Sequence, residues 1–349
     1  MSRESLLVAP RDLRLVPVPD RPLQANEVRA EAVVSGISHG TELNLYRGTS
    51  PFDRRRFDPE LRLFVEDSTS QPYPMRLGYE WVGRVAEVGA EVTTWKVGDL
   101  VHLPVNHRES AIFTAGERTG LGAVEPLPAG MAPENAALIA LAGVALQAIH
   151  DAHIKLGDRV AIFGLGTIGL LALQLARLDG AAWVDAVDPL PRRRALAAAY
   201  GADRVLDPND GDVARAIKEA RPQHGADVAV EVSGHYPALH EALRSARMGG
   251  TIVAAGYYQG GGTPLRLGEE WHHNRLTLVS SMGVWDCTHR DHPAWNRGRV
   301  HATVTDLLAT GRLRADGMIT HRIPFERAAE AFDLIDRRPE DVVKVVLTY

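Results

Sequence analysis

Residues 159–180 read RVAIFGLGTIGLLALQLARLDG, and this stretch decides the fold class of the second half of the chain. It begins with five residues typical of a buried strand, continues through a turn with three glycines and ends in an apolar run with helical spacing. This order predicts a strand, a tight turn and a helix that packs back onto the strand.

The same alternation of strand and helix continues from about residue 158 to residue 281. Further apolar runs suit strands, and helical patterns such as 192–200 separate most of them. The strand candidates are 159–163, 183–187, 204–207, 227–232, 251–256 and 276–281. Near-continuous apolar strands that alternate with helices predict an α/β domain with a doubly wound parallel sheet, covered on both faces.

The first 147 residues have a different pattern. Residues 27–37 and 81–89 are strand-like runs among many glycines and prolines, and their alternation is typical of a β-meander or a barrel wall. The tail 319–349 predicts a strand, a helix and a strand. Residues 49–76 show no clear period, and we expect a long loop there with room for one helical turn.

That loop carries aromatic and basic side chains, namely Phe52, Arg54, Arg55, Arg56 and Phe57. Long loops in compact domains are often lids or binding loops, so this one could close over a ligand. A solvated loop or a dimer contact is the alternative interpretation.

The composition excludes several classes of protein. A chain of 349 residues suggests two domains, at about 150 residues per domain. Lys and Arg number 39 and Asp and Glu number 44, and the resulting net charge of −5 does not favour nucleic acid as a partner. Cys287 is the only cysteine, which excludes an internal disulfide and any zinc site built from several cysteines.

We expect a cytoplasmic, soluble protein with no membrane as partner. Charged residues interrupt the N-terminal sequence too early for the apolar core of a signal peptide. The longest apolar stretch, residues 136–146, is well short of the roughly 20 residues that span a bilayer.

The turn after the first strand of the α/β domain has the spacing GxGxxG and predicts a dinucleotide site. Its residues are Gly164, Leu165, Gly166, Thr167, Ile168 and Gly169. The motif alone is weak, but here it follows a strand and opens a helix, whose free N–H groups suit a pyrophosphate. A bare turn between a strand and a helix is the alternative.

Asp188 lies 19 residues after the last glycine, at the end of the second predicted strand. A carboxylate there can accept hydrogen bonds from the adenosine ribose and would repel a 2′-phosphate, so NAD is favoured as cofactor. Arg192, Arg193 and Arg194 follow directly and could accommodate that phosphate, so NADP stays possible. Ser233, Ala255 and Met282 end or follow later strands, where ligands bind in open α/β sheets.

The chain resembles the medium-chain dehydrogenase/reductase superfamily, the fold of zinc alcohol and polyol dehydrogenases. The resemblance rests on GYEWVGRVAEVGAEVTTWKVGDLV (78–101), the glycine motif, VDPLPRRRALAAAYGAD (187–203) and the terminal KVVL (344–347). It implies a GroES-like β-barrel catalytic domain formed by residues 1–147 and 287–349. A Rossmann dinucleotide-binding domain, residues 148–286, is inserted, and substrate and nicotinamide meet between the two.

Two shorter motifs, SGISHGTEL (35–43) and LGYEWVGRV (77–85), resemble a subgroup that includes bacteriochlorophyllide dehydrogenase. Zinc members of the superfamily hold their metal with Cys, His and Glu or Cys. Ser38, Tyr79 and Ala140 stand at those positions here. A hydroxyl, a phenol and a methyl group do not suit zinc, so we expect no catalytic metal.

One other group could gather a metal by chance. The segment CTHRDH supplies Cys287, His289 and His292, and His272 and His273 lie nearby in sequence. Their spacing fits no known metal motif, and we interpret them as ordinary surface or core residues.

Without zinc, hydride transfer at a carbonyl still needs a proton donor or an oxyanion partner. The resemblance implies that the Tyr79 phenol faces the position of the substrate carbonyl and that Ser38 lies beside it as a second hydrogen-bonding group. Glu80 and Glu42 lie on the same elements. Because the phenol pKa is about 10, a neighbour must lower it if Tyr79 is to act as a base. Structural roles are the alternatives: volume filling for Tyr79, local hydrogen bonding for Ser38 and strand tying for Glu80.

The resemblance also implies two cofactor contacts outside the Rossmann domain. His39 occupies a position where basic residues reach the pyrophosphate, and Lys344 matches a lysine of the terminal strand. An exposed loop histidine and an exposed edge lysine are the alternatives. His107 matches a family strand position, and we interpret it as structural.

Together these features predict a zinc-independent, NAD-linked oxidoreductase that interconverts a secondary alcohol and a ketone on a cyclic or polyhydroxylated small molecule. The resemblance implies a homodimer. An NADPH-dependent quinone or enoyl reductase that acts on a C=C bond is one alternative, which Asp188 disfavours. A non-catalytic NAD-binding protein is another.

Overall fold

The structure is a computed structural model that describes residues 1–53, 55–67, 72–220, 224–283 and 287–349. The chain divides into two compact units. Unit 1 comprises residues 1–119, 123–138 and 319–349, and unit 2 comprises residues 120–122 and 139–318. The domain boundaries predicted from the sequence, 147/148 and 286/287, differ from these, and residue 286 lies outside the described residues.

The described strands are β1 (Ser2–Ala9), β2 (Asp12–Val18), β3 (Glu27–Gly36), β4 (Arg55–Asp58), β5 (Leu63–Glu66), β6 (Glu80–Val88), β7 (Leu100–Leu103), β8 (Ser110–Thr114), β9 (Arg118–Thr119), β10 (Gly122–Ala123), β11 (Arg159–Phe163), β12 (Trp183–Val187), β13 (Arg204–Leu206), β14 (Ala226–Glu231), β15 (Ala246–Ala254), β16 (Thr277–Ser280), β17 (Ile319–Pro324) and β18 (Lys344–Thr348). The described helices are α1 (Thr41–Arg47), α2 (Pro133–Ala136), α3 (Ile139–Ala152), α4 (Thr167–Asp179), α5 (Pro191–Ala199), α6 (Val213–Glu219), α7 (Tyr236–Ser245), α8 (Glu270–His273), α9 (Arg297–Ala309) and α10 (Ala328–Arg337).

Unit 1 is built on a sheet in the order β17-β18-β3-β6-β7, with β8 also paired to β3. Strands β3 and β6 are antiparallel, and their register sets Gly36 opposite Glu80. The end of β3 therefore lies beside the start of β6. The apolar face of these strands belongs to a buried cluster around Trp81 and Phe113, while a second buried cluster, around Tyr46 and Phe332, includes residues of β1, α1, α10 and β18.

The segment 49–76 is more ordered than a long loop. It contains a 3₁₀ turn, Pro51–Asp53, which fits the expected helical turn, and an antiparallel hairpin of β4 and β5 that the sequence did not predict. The ring centroid of Phe64 lies 5.4 Å from that of Phe52 and 5.2 Å from that of Phe57. Arg54 lies outside the described residues, and a role as a lid stays a prediction.

Unit 2 contains a six-stranded parallel sheet in the order β13-β12-β11-β14-β15-β16. The strand order reverses at β11, the first strand in sequence, as expected for a doubly wound sheet. Strand β11 is buried along its whole length, which is why its sequence is apolar without alternation. Each strand predicted in this region is present to within a few residues at its ends.

The mixed α/β fold class, with a GroES-like region and a Rossmann-like parallel sheet, is thus confirmed. None of the helices in the described ranges combines the length and the apolar character needed to cross a bilayer.

Candidate active site

Ser38 and Tyr79 are brought together by the pairing of β3 with β6. Ser38 follows β3 and precedes α1, while Tyr79 directly precedes β6. Because the end of β3 lies opposite the start of β6, the two side chains meet, and the Tyr79 phenol donates a 2.6 Å hydrogen bond to Ser38 Oγ. The two residues predicted to replace zinc ligands therefore form one hydroxyl pair.

The environment of Tyr79 keeps its phenol protonated. Burial raises the pKa of Tyr79, and the carboxylates of Glu80 and Glu42 raise it further, while hydrogen bonds with Ser38 and Thr41 act in the opposite direction. A base at this position would need a lowered pKa, and the described surroundings do not provide it, because burial and the nearby negative charges outweigh the two hydrogen bonds. Tyr79 is therefore a hydrogen-bond donor at neutral pH.

Glu80 forms a buried ion pair with Lys344. The Lys344 ammonium donates to Glu80 Oε2 at 2.5 Å and to the Ile37 carbonyl at 2.8 Å. A Cβ on Gly36 would lie 2.3 Å from Glu80 Oε2, so only glycine fits beside this pair. The pair links β6 to β18 across β3, as the strand-tying interpretation of Glu80 requires.

These contacts exclude one interpretation of Lys344. The residue is not an exposed edge lysine, because its side chain is fully buried, and its ammonium is held inside unit 1 by Glu80 and Ile37. A contact between Lys344 and the cofactor stays a prediction. The second carboxylate oxygen of Glu80, Oε1, is buried without a hydrogen-bond partner among the described residues.

Glu42 fixes the backbone of Ser38 and begins a buried hydrogen-bond chain. Its Oε1 accepts from the Ser38 N–H at 2.8 Å, and its Oε2 lies 2.9 Å from His107 Nε2. His107 Nδ1 lies 2.7 Å from Ser35 Oγ, which is 2.9 Å from the Tyr349 hydroxyl. His107 is thus a positioning group, and the sequence did not predict its contact with Glu42.

The glycine turn of unit 2 has the shape that a dinucleotide needs. A Cβ on Gly169 would lie 1.8 Å from the Gly164 carbonyl oxygen, so glycine is required where α4 packs against the turn. A Cβ on Gly166 would meet nothing within 4 Å, which leaves open space in front of the turn. Thr167 and Ile168 open α4, whose first N–H groups suit a pyrophosphate.

Asp188 closes the same turn from the end of β12. Its carboxylate accepts from the Leu165 N–H and the Leu190 N–H, each at 2.8 Å. Arg193 Nη1 lies 3.6 Å from the same carboxylate, and Arg194 donates to the Asp188 carbonyl at 2.7 Å. These contacts bring the predicted ribose carboxylate and the predicted arginine together.

Sequence reasoning missed Glu231, which organises the end of β14. Its buried carboxylate accepts from the Ser233 N–H at 2.7 Å and the Gly234 N–H at 3.2 Å, and from the hydroxyls of Ser233 and Tyr258. Burial raises the pKa of Glu231. The signal was available, because Glu231 is an acidic residue inside the otherwise apolar run 228–232.

The other predicted cofactor residues lie around the ends of neighbouring strands. Ser233 faces the glycine turn, since a Cβ on Gly164 would lie 2.8 Å from Ser233 Cβ. The Ala255 N–H donates to the Glu231 carbonyl at 2.9 Å, and Met282 follows β16 with 44% of its surface exposed. His39 lies in unit 1 directly after Ser38, half-buried, and its cofactor contact stays a prediction.

The side chains of Cys287, His289 and His292 do not converge on a common point in the structure. His289 is buried, with Nε2 3.0 Å from His150 Nδ1, and its Nδ1 accepts the Asp291 N–H. Among the residues that the structure describes, Cys287, His289 and His292 are not part of any cluster of three potential metal ligands.

The hydroxyl pair also fails a test as a metal site. Zinc binds thiolate, imidazole or carboxylate groups, whereas Tyr79 holds a neutral phenol that is bonded to the Ser38 hydroxyl. Ala140, within α3, offers only a methyl group. This donor set does not fit the catalytic zinc that the fold suggests.

Two family models match this chain over most of both units. Residues 26–138 match the alcohol dehydrogenase GroES-like domain, and residues 167–293 match the zinc-binding dehydrogenase model. D-guloside 3-dehydrogenase from Escherichia coli K12 is 33% identical over 355 residues, which cover 99% of this chain and all of that protein. The chain belongs to the medium-chain, zinc-type alcohol dehydrogenase superfamily.

Other members are similar over nearly the same length. (R,R)-butanediol dehydrogenase from Bacillus subtilis is 27% identical over 344 residues, 92% of each chain. The crystal structure of galactitol-1-phosphate dehydrogenase from Escherichia coli has a TM-score of 0.77 at 22% identity and covers 99% of this chain and all of that one. This chain is therefore an NAD(P)-dependent dehydrogenase of the medium-chain type, which acts as an alcohol–ketone oxidoreductase.

Proposed function

We propose that the chain is a zinc-independent, NAD-linked dehydrogenase that interconverts a secondary alcohol and a ketone on a cyclic or polyhydroxylated substrate. The observation that carries the proposal is the 2.6 Å hydrogen bond from Tyr79 to Ser38. The resemblance of GISHGTE and GYE to family motifs supports a position for this pair where zinc members bind their metal. It supports assignment to the zinc-lacking subgroup that resembles bacteriochlorophyllide dehydrogenase.

The substrate class is supported by the relatives. D-guloside 3-dehydrogenase, which aligns with the whole chain, is named for a glycoside, and the butanediol enzyme is named for a diol. A site whose polar groups are hydroxyls rather than a metal suits a substrate that itself carries several hydroxyls.

Ser38 is the group that can donate to the substrate oxygen. Its Oγ accepts from Tyr79, and no other hydrogen bond of this oxygen is found among the described residues, so its own O–H is free to donate. Donation from Tyr79 polarises that O–H and strengthens the bond it makes. Such a donor stabilises the negative charge that develops on the carbonyl oxygen during reduction.

Protons then move along the pair. When bound, the nicotinamide supplies the hydride for reduction. The substrate oxygen takes the Ser38 proton, and Ser38 recovers one from the Tyr79 phenol, which solvent reprotonates. Because the pKa of Tyr79 is raised, the phenol is protonated at neutral pH and the pair is present in its donor form. Alcohol oxidation, which needs the phenolate as base, therefore accelerates as pH rises.

The NAD preference is supported by Asp188 at the end of β12, where a carboxylate disfavours a 2′-phosphate. Strand β16 forms one edge of the six-stranded sheet, and Leu278 on it is 40% exposed. An edge of this kind supports the homodimer that the family resemblance implies.

The proposal is tested by a screen of polyols, glycosides and cyclic secondary alcohols, with NAD and NADP in parallel, monitored at the nicotinamide absorbance. We expect Tyr79→Phe to lower kcat by about 10²–10³ and to leave the Kd for NAD unchanged. The matched control is Tyr46→Phe, which removes a phenol that donates to Asp333 in the same unit. It should keep its turnover.

Three outcomes would contradict the proposal. Undiminished turnover in Tyr79→Phe would remove the hydroxyl pair from the chemistry. Reduction of a C=C bond with NADPH would assign the chain to the quinone or enoyl reductases. Tight NAD binding with no turnover on any alcohol or ketone would indicate a non-catalytic protein.

A further inference from the structure

A second cluster of potential metal ligands lies in unit 2, between α7 and α8. His240 is on α7, Glu269 directly precedes α8, and Glu270 is its first residue. One imidazole nitrogen and one oxygen from each carboxylate all lie within 4.8 Å of one another. Within residues 1–53, 55–67, 72–220, 224–283 and 287–349, no other His, Cys, Asp or Glu group gathers three ligand atoms so closely.

Within the part of the chain that the structure describes, two buried polar atoms of this cluster have no hydrogen-bond partner. They are Nδ1 of His240, a residue that is only 7% exposed, and Oε2 of Glu270. Unpartnered buried polar atoms are uncommon in proteins, because each has lost its water without compensation. Two of them in one group of three residues point to a missing cationic partner.

The neighbouring cations do not take this role. Arg244 Nε is 3.6 Å from Glu270 Oε1, and Arg266 Nη1 is 3.6 Å from Glu269 Oε1, both too long for hydrogen bonds. Arg244 is already hydrogen-bonded to Asp212 and Glu241.

A third cation, Lys218, is also engaged elsewhere. Its ammonium donates to the Ala246 carbonyl at 2.8 Å. The carboxylates of the cluster therefore keep oxygens available to a metal ion.

We propose that His240, Glu269 and Glu270 form a binding site for a divalent transition metal ion, with Zn²⁺ as the best match. One imidazole and two carboxylates are ligands that zinc accepts, with water as the fourth. Zinc–ligand distances of about 2.0–2.2 Å set ligand atoms closer together than the 4.8 Å limit within which these three now lie. Glu269 is exposed, so its side chain is free to rotate inward and the ion can enter from solvent.

Metal binding would link α7 to α8 and so fix the connection between β15 and α8, residues 255–269. The site shares no residue with the Tyr79–Ser38 pair. A metal found in the purified protein would therefore not by itself argue for zinc catalysis, and the location of the ion has to be tested by variants.

The test uses the full-length protein, stripped with a chelator and then titrated with Zn²⁺ against a chromophoric competitor. Co²⁺ absorption reports the coordination geometry. We expect the wild type to bind one ion per chain. His240→Ala should bind more than about tenfold more weakly, and Glu269→Gln should weaken binding in the same direction. His272→Ala is the control, because it removes an exposed imidazole from the same helix and should bind like the wild type.

Thermal unfolding of each metal-free variant shows that it is folded. Because Glu269 is exposed, its variant keeps the test valid even if His240→Ala does not fold. The proposal is overturned if the wild type binds no Zn²⁺, or if Glu269→Gln and His240→Ala bind as tightly as the wild type. It is also overturned if His272→Ala is the variant that loses the ion.

Discussion

Glu80 in unit 1 and Glu231 in unit 2 are both fully buried carboxylates, yet they are stabilised in different ways. Glu80 has a cation, the Lys344 ammonium at 2.5 Å. Glu231 is held by backbone N–H groups and hydroxyls, with no ion pair to it among the described residues. The difference shows that unit 1 neutralises charge beside its candidate site, while unit 2 uses a charge to order a turn.

Breaking the ion pair should have the largest effect on stability. We expect Lys344→Met to lower the free energy of unfolding by about 3–5 kcal/mol, because it leaves Glu80 buried without a counter-charge. Urea denaturation measures the change. The double variant Lys344→Met with Glu80→Gln should recover a large part of the loss. A loss below about 1 kcal/mol in the single variant would show that the pair behaves like an exposed one.

Removing the charge of Glu231 should have a smaller effect. Glu231→Gln keeps the shape of the side chain but directs an amide N–H₂ toward groups that are themselves donors. We therefore expect the free energy of unfolding to fall by about 1–3 kcal/mol. The affinity for NAD should fall too, since either Ser233 or the pair Gly234 and Tyr258 loses its acceptor. Glu219→Gln, at an exposed ion pair of the same unit, is the control and should change stability by less than about 0.5 kcal/mol. Equal losses of stability in Glu231→Gln and Glu219→Gln would contradict a role for the Glu231 carboxylate in ordering the turn after β14.

The smallest expected effect is the pH dependence that Glu231 adds to the stability of the fold. Because burial raises the pKa of Glu231 above its ordinary 4.5, the folded chain binds more protons than the unfolded chain above that pH. The contribution is fully present below pH 4.5 and is lost as pH rises through the folded pKa, with a slope of up to about 1.4 kcal/mol per pH unit. Wild-type stability should therefore fall relative to Glu231→Gln as pH rises. A difference that does not vary with pH would argue against a raised pKa.

Much of the fold was predictable because its signals are local. An apolar run, a glycine turn and a helical period lie side by side in residues 159–180, and the structure places β11 and α4 there. The hairpin of β4 and β5 was missed because its sequence is rich in charge, carries Pro59 between the strands and does not alternate. Its stability depends on contacts such as that between Phe57 and Phe64.

The candidate site was predictable in its members but not in its electrostatics. Motif position alone brought Ser38, Tyr79, Glu42 and Glu80 into one group. The partner of Lys344 depends on the pairing of β18 with β3, and the direction of the Tyr79 pKa depends on burial near two carboxylates. Such long-range contacts leave no signal at the positions themselves.

The most direct test of the central claim is the turnover of protein from which metal has been removed. The chain is treated with a chelator, its residual metal is measured, and kcat is determined on the best substrate from the screen. We predict that kcat is retained within about twofold, because the Tyr79–Ser38 pair supplies the proton chemistry. Loss of turnover on chelation, with recovery on addition of Zn²⁺ in the His240→Ala variant as well as in the wild type, would contradict a hydroxyl-based site.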